Sequence, residues 1–237
     1  MAVEERSSPA VPVAEPLARL QDVFKIYREG SIETVALRGA SLELPRGMLT
    51  SMVGPSGSGK STLLLIMAGL ALPSAGQVIL DGQDLSRLDE AARARIRGER
   101  IAVIFQSGNL IPFLSALENV QLAQTLSGKL RRNQKLARDL LVEVGLGKRL
   151  HHRPPQLSGG EVQRVAVAVA LASEPDLLLA DELTGELDSA TADMVMGVLS
   201  EVWQQRHLTI LLVTHNVELA ARADHQLRLI DGLVQRA

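Results

Sequence analysis

Three stretches of the chain are apolar without interruption: "MLTSMVG" (Met48 to Gly54), "LLLAD" (Leu177 to Asp181) and "LTILLVTH" (Leu208 to His215). Strands buried on both faces have this pattern, as in a parallel sheet covered by helices, whereas a half-exposed strand alternates. The first run leads into "SGSGKSTLLLIMAGL" and the last into "NVELAARA". Strand–loop–helix units therefore recur, which predicts an α/β fold. Leu20 to Tyr27, Thr34 to Leu44 and Gln77 to Leu80 predict shorter β segments, punctuated by Gly30, Pro45-Arg46-Gly47 and Asp81-Gly82. The run Leu63 to Leu72 predicts a buried helix and is too short to span a bilayer.

After Gln106 the period becomes helical. "ALENVQLAQTL" and "NQKLARDLLVEVGL" carry apolar residues three and four apart. The expectation is a helical subdomain over about residues 107–172, inserted into the α/β core of a single domain spanning 17–237. "QLSGGEVQRVAVAVALA" (Gln156 to Ala172) is ambiguous, because "VAVAVA" alternates as a strand does. Helix is predicted because Ala is the strongest helix former, and Val162, Val165, Val169 and Ala172 share one helical face. Ser158 then stands where an N-cap belongs. "HQLRLIDGLVQRA" predicts two short strands around an Asp-Gly turn.

Charge and composition narrow the function. Lys plus Arg number 25 and Asp plus Glu 27, a net charge of −2. A nucleic-acid partner is not expected, since neutralising phosphates takes a basic surplus. The runs "RARIRGER" (Arg93 to Arg100) and "KLRRNQK" (Lys129 to Lys135) are predicted to be solvated helix faces. There is no cysteine, which excludes disulfides and thiolate sites for zinc. Met1 to Pro16 is acidic and Pro/Ala-rich, the pattern of a flexible tail and not of a signal peptide.

The chemistry concentrates in four short motifs. "GPSGSGKST" fits the phosphate-binding loop pattern with no substitution, between an apolar strand and a helix. Gly54, Pro55, Ser56, Gly57, Ser58, Gly59, Lys60, Ser61 and Thr62 make the candidate cradle. Backbone N–H groups of Gly57 to Lys60 turn inward on the phosphates, and the helix N-terminus adds partial positive charge. Lys60 is expected to neutralise β/γ oxygens and Ser61 to reach Mg²⁺. "LLLADE" ends a strand on two carboxylates: Asp181 for the Mg²⁺ shell and Glu182 to polarise an attacking water. "LLVTH" ends another strand on His215, a candidate γ-phosphate contact. Ser158, Gly159 and Gly160 open a helix and make a second receptor for a γ-phosphate.

Tyr27, "GPSGSGKST", Gln106, "LSGGE", "LLLADE", "GELD" and "VTH" stand in the order found in ATP-binding subunits of ABC transporters. The resemblance runs from about Leu20 to the C-terminus. It implies an ATPase with a P-loop NTPase core, a mainly parallel sheet, an N-terminal antiparallel β subdomain and an inserted helical subdomain. It also explains the second receptor: two copies pack head to tail, and the Ser158 loop of one faces the ATP held by the other. By the same resemblance Tyr27 stacks on adenine above Val35, Gln106 touches Mg²⁺ and water, and Asp188 links the two sites. The implied cofactors are ATP and Mg²⁺. The implied partners are a second copy and a separately encoded permease, which would hold the subunit on the cytoplasmic face of the membrane. "ADELTGELD" and "SGNLIPFLSALENV" resemble the lipoprotein-release and macrolide-export group. An ATPase that drives cell-wall remodelling through a similar permease, without transport, is the alternative. Leu110, Ile111, Phe113 and Leu114 are read either as a permease groove or as subdomain core. By the same resemblance, Glu161 stands where Gln is usual, Leu183 where Pro is usual and Glu186 where Asn or Ala is frequent.

Overall fold

The computed structural model describes residues 15–128, 133–185 and 187–236. Most of the expected tail, positions 129–132 of the second basic run, and Glu186 lie outside the described residues. The chain opens with antiparallel strands β1 (Ala18–Glu29) and β2 (Ile32–Leu44), then β3 (Leu49–Val53) and helix α1 (Lys60–Met67). Strands β4 (Ala75–Leu80) and β5 (Gln83–Asp84) precede helix α2 (Glu90–Arg100) and strand β6 (Ile101–Ile104). Helices α3 (Ala116–Leu126), α4 (Gln134–Glu143) and α5 (Gly159–Leu171) lead to β7 (Leu177–Asp181). The remainder is α6 (Ser189–Arg206), β8 (Thr209–Val213), α7 (Val217–Ala220), β9 (His225–Ile230) and β10 (Leu233–Arg236).

Two sheets result. One has the order β2-β1-β4-β5 and is antiparallel; the other has the order β10-β9-β3-β8-β7-β6. In the second, β9, β3, β8, β7 and β6 are parallel and β10 returns antiparallel. The continuous apolar runs are explained by the alternation of their side chains between two cores. Leu178, Ala180, Ile210 and Leu212 point to a cluster completed by α3 to α6. Leu177, Leu179, Leu211 and Val213 point to one completed by α1 and the antiparallel sheet. The α/β class and the small antiparallel sheet thus agree with the sequence expectation.

Four local readings differ. β6 has no counterpart among the expected strands: "IAVI" follows a basic helix directly, and four apolar residues carry too little period to signal a strand. The predicted helix Leu63 to Leu72 stops at Met67. Gly69 adopts φ +65, its N–H donates to Ile66 and that of Leu70 to Leu65, the double bond of a Schellman stop. Leu70 and Leu72 are left exposed. α5 is a helix capped by Ser158, but its burial is not the predicted stripe: Val165 to Ala168, Ala170 and Leu171 are buried, while Val162 and Val169 are only partly so. Contacts with α3, α4, α6 and β6 enclose it on several sides, so no single face is apolar. The run Arg93 to Arg100 is not simply solvated. Arg93 is buried against Glu90, Arg97 bonds the Gly69 carbonyl, and Arg100 bridges Asp81 and Asp176.

A Cβ at residue 69 would meet only ordinary contacts, the nearest Arg93 Cδ at 3.7 Å. The cost of Gly69→Ala is therefore conformational, about 1–2 kcal/mol for a left-handed L-residue, read as a lowered urea midpoint at unchanged m-value.

Candidate active site

The loop between β3 and α1 is held by backbone approaches that exclude side chains. A Cβ at Gly54 would lie 2.2 Å from the Leu229 carbonyl oxygen. One at Gly59, where φ is +104, would lie 2.5 Å from that of Ala36. Pro55, Ser56 and Gly57 form an exposed rim, Ser58 is buried beneath it, and Thr62 is half-buried on α1. Lys60 is also buried, and its ammonium donates to the carbonyls of Gly54 (2.8 Å) and Pro55 (2.9 Å). The cation is thereby held over the loop by dipoles. Sequence reasoning missed the buttress behind it. The Gly232 N–H donates to the Ser58 carbonyl, and the Arg38 N–H donates to that of Gly232. The Asp-Gly turn was legible as a hairpin, but its wedging between this loop and β2 was not.

Parallel registry sets the rest of the site. β3, β8 and β7 are neighbours, so Lys60 and Ser61 after β3, His215 after β8, and Asp181 and Glu182 at the end of β7 converge at one sheet edge. The exposed Ser61 hydroxyl faces the Asp181 carboxylate closely enough to stabilise its charge. Burial pushes the Asp181 pKa upward; Ser61 opposes this, Glu182's negative charge adds to it, and Lys60 opposes. Glu182 Oε1 lies 3.6 Å from His215 Nδ1. A Cβ at Gly185 would stand 3.4 Å from Glu182 Oε2 and 3.5 Å from His215 Cε1, in ordinary contact with both, so Gly185 packs directly beside this pair. The Glu182 backbone is left-handed (φ +47), an uncommon state for a non-glycine residue. Its N–H donates to Val213 and its carbonyl accepts from Gly185. Leu183, where the resemblance led to an expectation of proline, is 1% exposed within the main apolar cluster. Burial of that side chain anchors the loop where a ring would have fixed φ.

Two expected residues flank this group. Tyr27 lies half-exposed near the end of β1, with the Lys25 ammonium 4.9 Å from its ring centroid, and Val35 is half-buried on β2 opposite Ile26. Gln106 follows β6 and is exposed; its carbonyl accepts from Gln163 Nε2 at 3.3 Å.

Ser158, Gly159, Gly160 and Asp188 form a separate group. The Ser158 hydroxyl accepts from the Glu161 N–H, and the Glu161 carboxylate accepts from the Ser158 N–H, a reciprocal capping box. A Cβ at Gly159 would meet Leu187 at 3.2 Å, and one at Gly160 would meet Thr191 Cγ2 at 2.2 Å. The helix start is thus packed against the start of α6, where Asp188 caps the helix and accepts from the Thr191 hydroxyl at 2.6 Å. That bond, and the Thr191 N–H after it, hold the Asp188 carboxyl below the usual range. Among the described residues no hydrogen bond joins Ser158, Gly159 or Gly160 to residues 54–62. The chain therefore presents two separate groups of candidate residues. One brings together the Lys60 ammonium, the carboxylates of Asp181 and Glu182, and His215; the other presents a capped helix N-terminus.

A family model described as "ABC transporter" matches residues 37–185. The chain is 46% identical over 223 residues to "Uncharacterized ABC transporter ATP-binding protein YbbA" of Escherichia coli (strain K12), covering 94% of this chain and 98% of that protein. It is 44% identical over 221 residues to "Lipoprotein-releasing system ATP-binding protein LolD 2" of Caulobacter vibrioides, covering 93% and 97%. Among solved structures it resembles the dimeric post-hydrolysis state of the ATP-binding cassette MJ0796 bound to ADP and Pi. That match has a TM-score of 0.85 and 38% identity over 92% of this chain and 97% of the other.

Raising the Asp181 pKa above its ordinary 3.8 means the folded state holds that proton more tightly than the unfolded one. The associated stability is present at low pH and lost as pH rises through the raised value. Asp181→Asn is therefore expected to raise the melting temperature of the ligand-free protein at pH 7, with the gap to the parent narrowing as pH is lowered toward 3.8.

Proposed function

The chain belongs to the ABC transporter family as an ATP-binding subunit with ATPase activity, and from that membership we propose how its two groups of residues work together. Two copies close head to tail. Each ATP lies on the Gly54–Thr62 loop of one copy and is capped by Ser158, Gly159 and Gly160 of the other. The observation that carries this reading is the division itself: the second oxyanion receptor packs on α6 and makes no hydrogen bond to the first loop in its own chain. The solved relative MJ0796, a bacterial ABC transporter cassette, is dimeric, which supports the same reading.

In this reading Tyr27 stacks on adenine over Val35, and the loop N–H groups with Lys60 neutralise the β/γ oxygens. Water attacks the γ-phosphorus, the bond to the bridging oxygen breaks, and ADP leaves with that electron pair. Glu182 accepts the proton of the attacking water, and His215 and Gln106 orient water and γ-phosphate. Asp181 and Glu182 place surplus negative charge at a partly buried edge beside a hydroxyl, which suits a hard, oxygen-seeking cation. Ser61, Gln106 and Asp181 would hold Mg²⁺, which supplies positive charge to the phosphate oxygens. Asp188 carries the state of one site to the other through the junction with Thr191. Loss of the γ-phosphate removes the anion shared by both copies, and the dimer reopens.

The work is delivered to a separately encoded permease of the lipoprotein-release type, a reading supported by the relatives named LolD. The receiving surface is the segment after Gln106: Leu110 packs into the core while Phe113 is 69% exposed. Residues 17–237 act as one ATPase domain, in which the helices of 107–172 move as the arm carrying that surface. Among the described residues no helix is long and apolar enough to cross a membrane, so attachment to the inner membrane face is assigned to the permease.

Glu182→Gln is expected to retain ATP binding, lower turnover by about 10²–10⁴-fold and accumulate an ATP-bound dimer, all measurable by single-turnover hydrolysis and sedimentation. Parent-rate hydrolysis by that variant would remove Glu182 from the mechanism. Phe113→Asp is expected to abolish permease-stimulated hydrolysis while leaving the rate of the isolated subunit within about twofold of the parent. Loss of both rates would assign Phe113 to the fold.

A further inference from the structure

Glu161 puts a full negative charge at the start of α5, where the reading above brings the partner's γ-phosphate. Its carboxylate caps the Ser158 N–H through Oε2 at 2.9 Å, and Oε1 accepts from Arg149 Nε at 3.0 Å. The Ser158 N–H first, then Arg149, hold the carboxyl below its ordinary range, so the group is ionised at neutral pH. A glutamine here would make the same capping bonds without charge. The carboxylate instead counteracts the positive end of the helix that an incoming phosphate needs.

We propose that Arg149 is a positioning residue for the shared ATP, neutralising Glu161 so that the Ser158 loop can accept the partner's γ-phosphate; this rests on the head-to-tail reading. Arg149 reaches α5 from the loop after α4 and has His152 as a further neighbour, 3.4 Å from Nη1. Almost half its side-chain surface is accessible, so the ion pair by itself adds little stability. Its effect appears when a polyanion approaches, because an uncompensated like charge at a closing interface opposes association.

The test uses the full chain in a Glu182→Gln background, with ATP-driven dimerisation followed by analytical ultracentrifugation and ATP affinity of the monomer by fluorescence titration. Arg149→Ala is expected to weaken dimerisation about tenfold, more at low salt than at high salt, with melting temperature and monomer ATP affinity unchanged. Adding Glu161→Gln is expected to restore dimerisation to within about twofold, since the charge needing compensation is gone. Undiminished dimerisation by Arg149→Ala overturns the proposal. So does failure of Glu161→Gln to rescue, or a parallel loss of monomer ATP affinity, because either makes Arg149 merely structural. If the Glu182→Gln parent itself stays monomeric with ATP, the composite site has failed before residue 149 is altered, and this inference falls with it.

Discussion

Parallel pairing of β3, β8 and β7 is the constraint on which the rest of the site depends. Met52 pairs with Val213, and Asp181 with Val213 from the other side, so three strand ends stop at one level. These strands are buried on both faces, and a slip of one residue would exchange the side chains of two apolar clusters. The loops leaving their carboxyl ends have little freedom in where they begin. Lys60, Asp181, Glu182 and His215 meet because the core strands cannot shift.

On that base the phosphate loop is fixed by close backbone approach. Gly54 and Gly59 touch carbonyls of β9 and β2, and the Asp-Gly turn of the closing hairpin bonds the loop from behind. Glu182 is held in a left-handed conformation by hydrogen bonds to Val213 and Gly185, and by burial of Leu183 next to it. The strain at that residue is sustained by the packing around it, since such a conformation persists only where the surrounding fold over-determines it. A buried leucine restrains the loop through the core instead of through a ring.

Charge is balanced locally and unevenly. At the first group, a partly buried Asp181 lies beside the negative charge of Glu182, with Lys60 turned back onto loop carbonyls. At the second, Glu161 reinforces the cap of α5 and is offset by Arg149.

The sequence by itself determined the α/β class, the strand–loop–helix units and the identities of the phosphate, carboxylate and histidine candidates. These signals are local: an unbroken apolar run, glycine spacing, a cap before a helix. It did not reveal β6, because four apolar residues after a helix have no distinctive period, nor the burial of α5, because a helix enclosed by α3, α4, α6 and β6 shows no single apolar face. Arg93 to Arg100 read as solvated, since Arg100 finds Asp81 and Asp176 and Arg97 finds Gly69 only through the fold. Which candidates stand together was decided by tertiary structure alone. Strand order sets Lys60 beside residues more than a hundred positions away, and packing on α6 sends Ser158 to a different group, because proximity across a sheet depends on pairing and not on spacing along the chain.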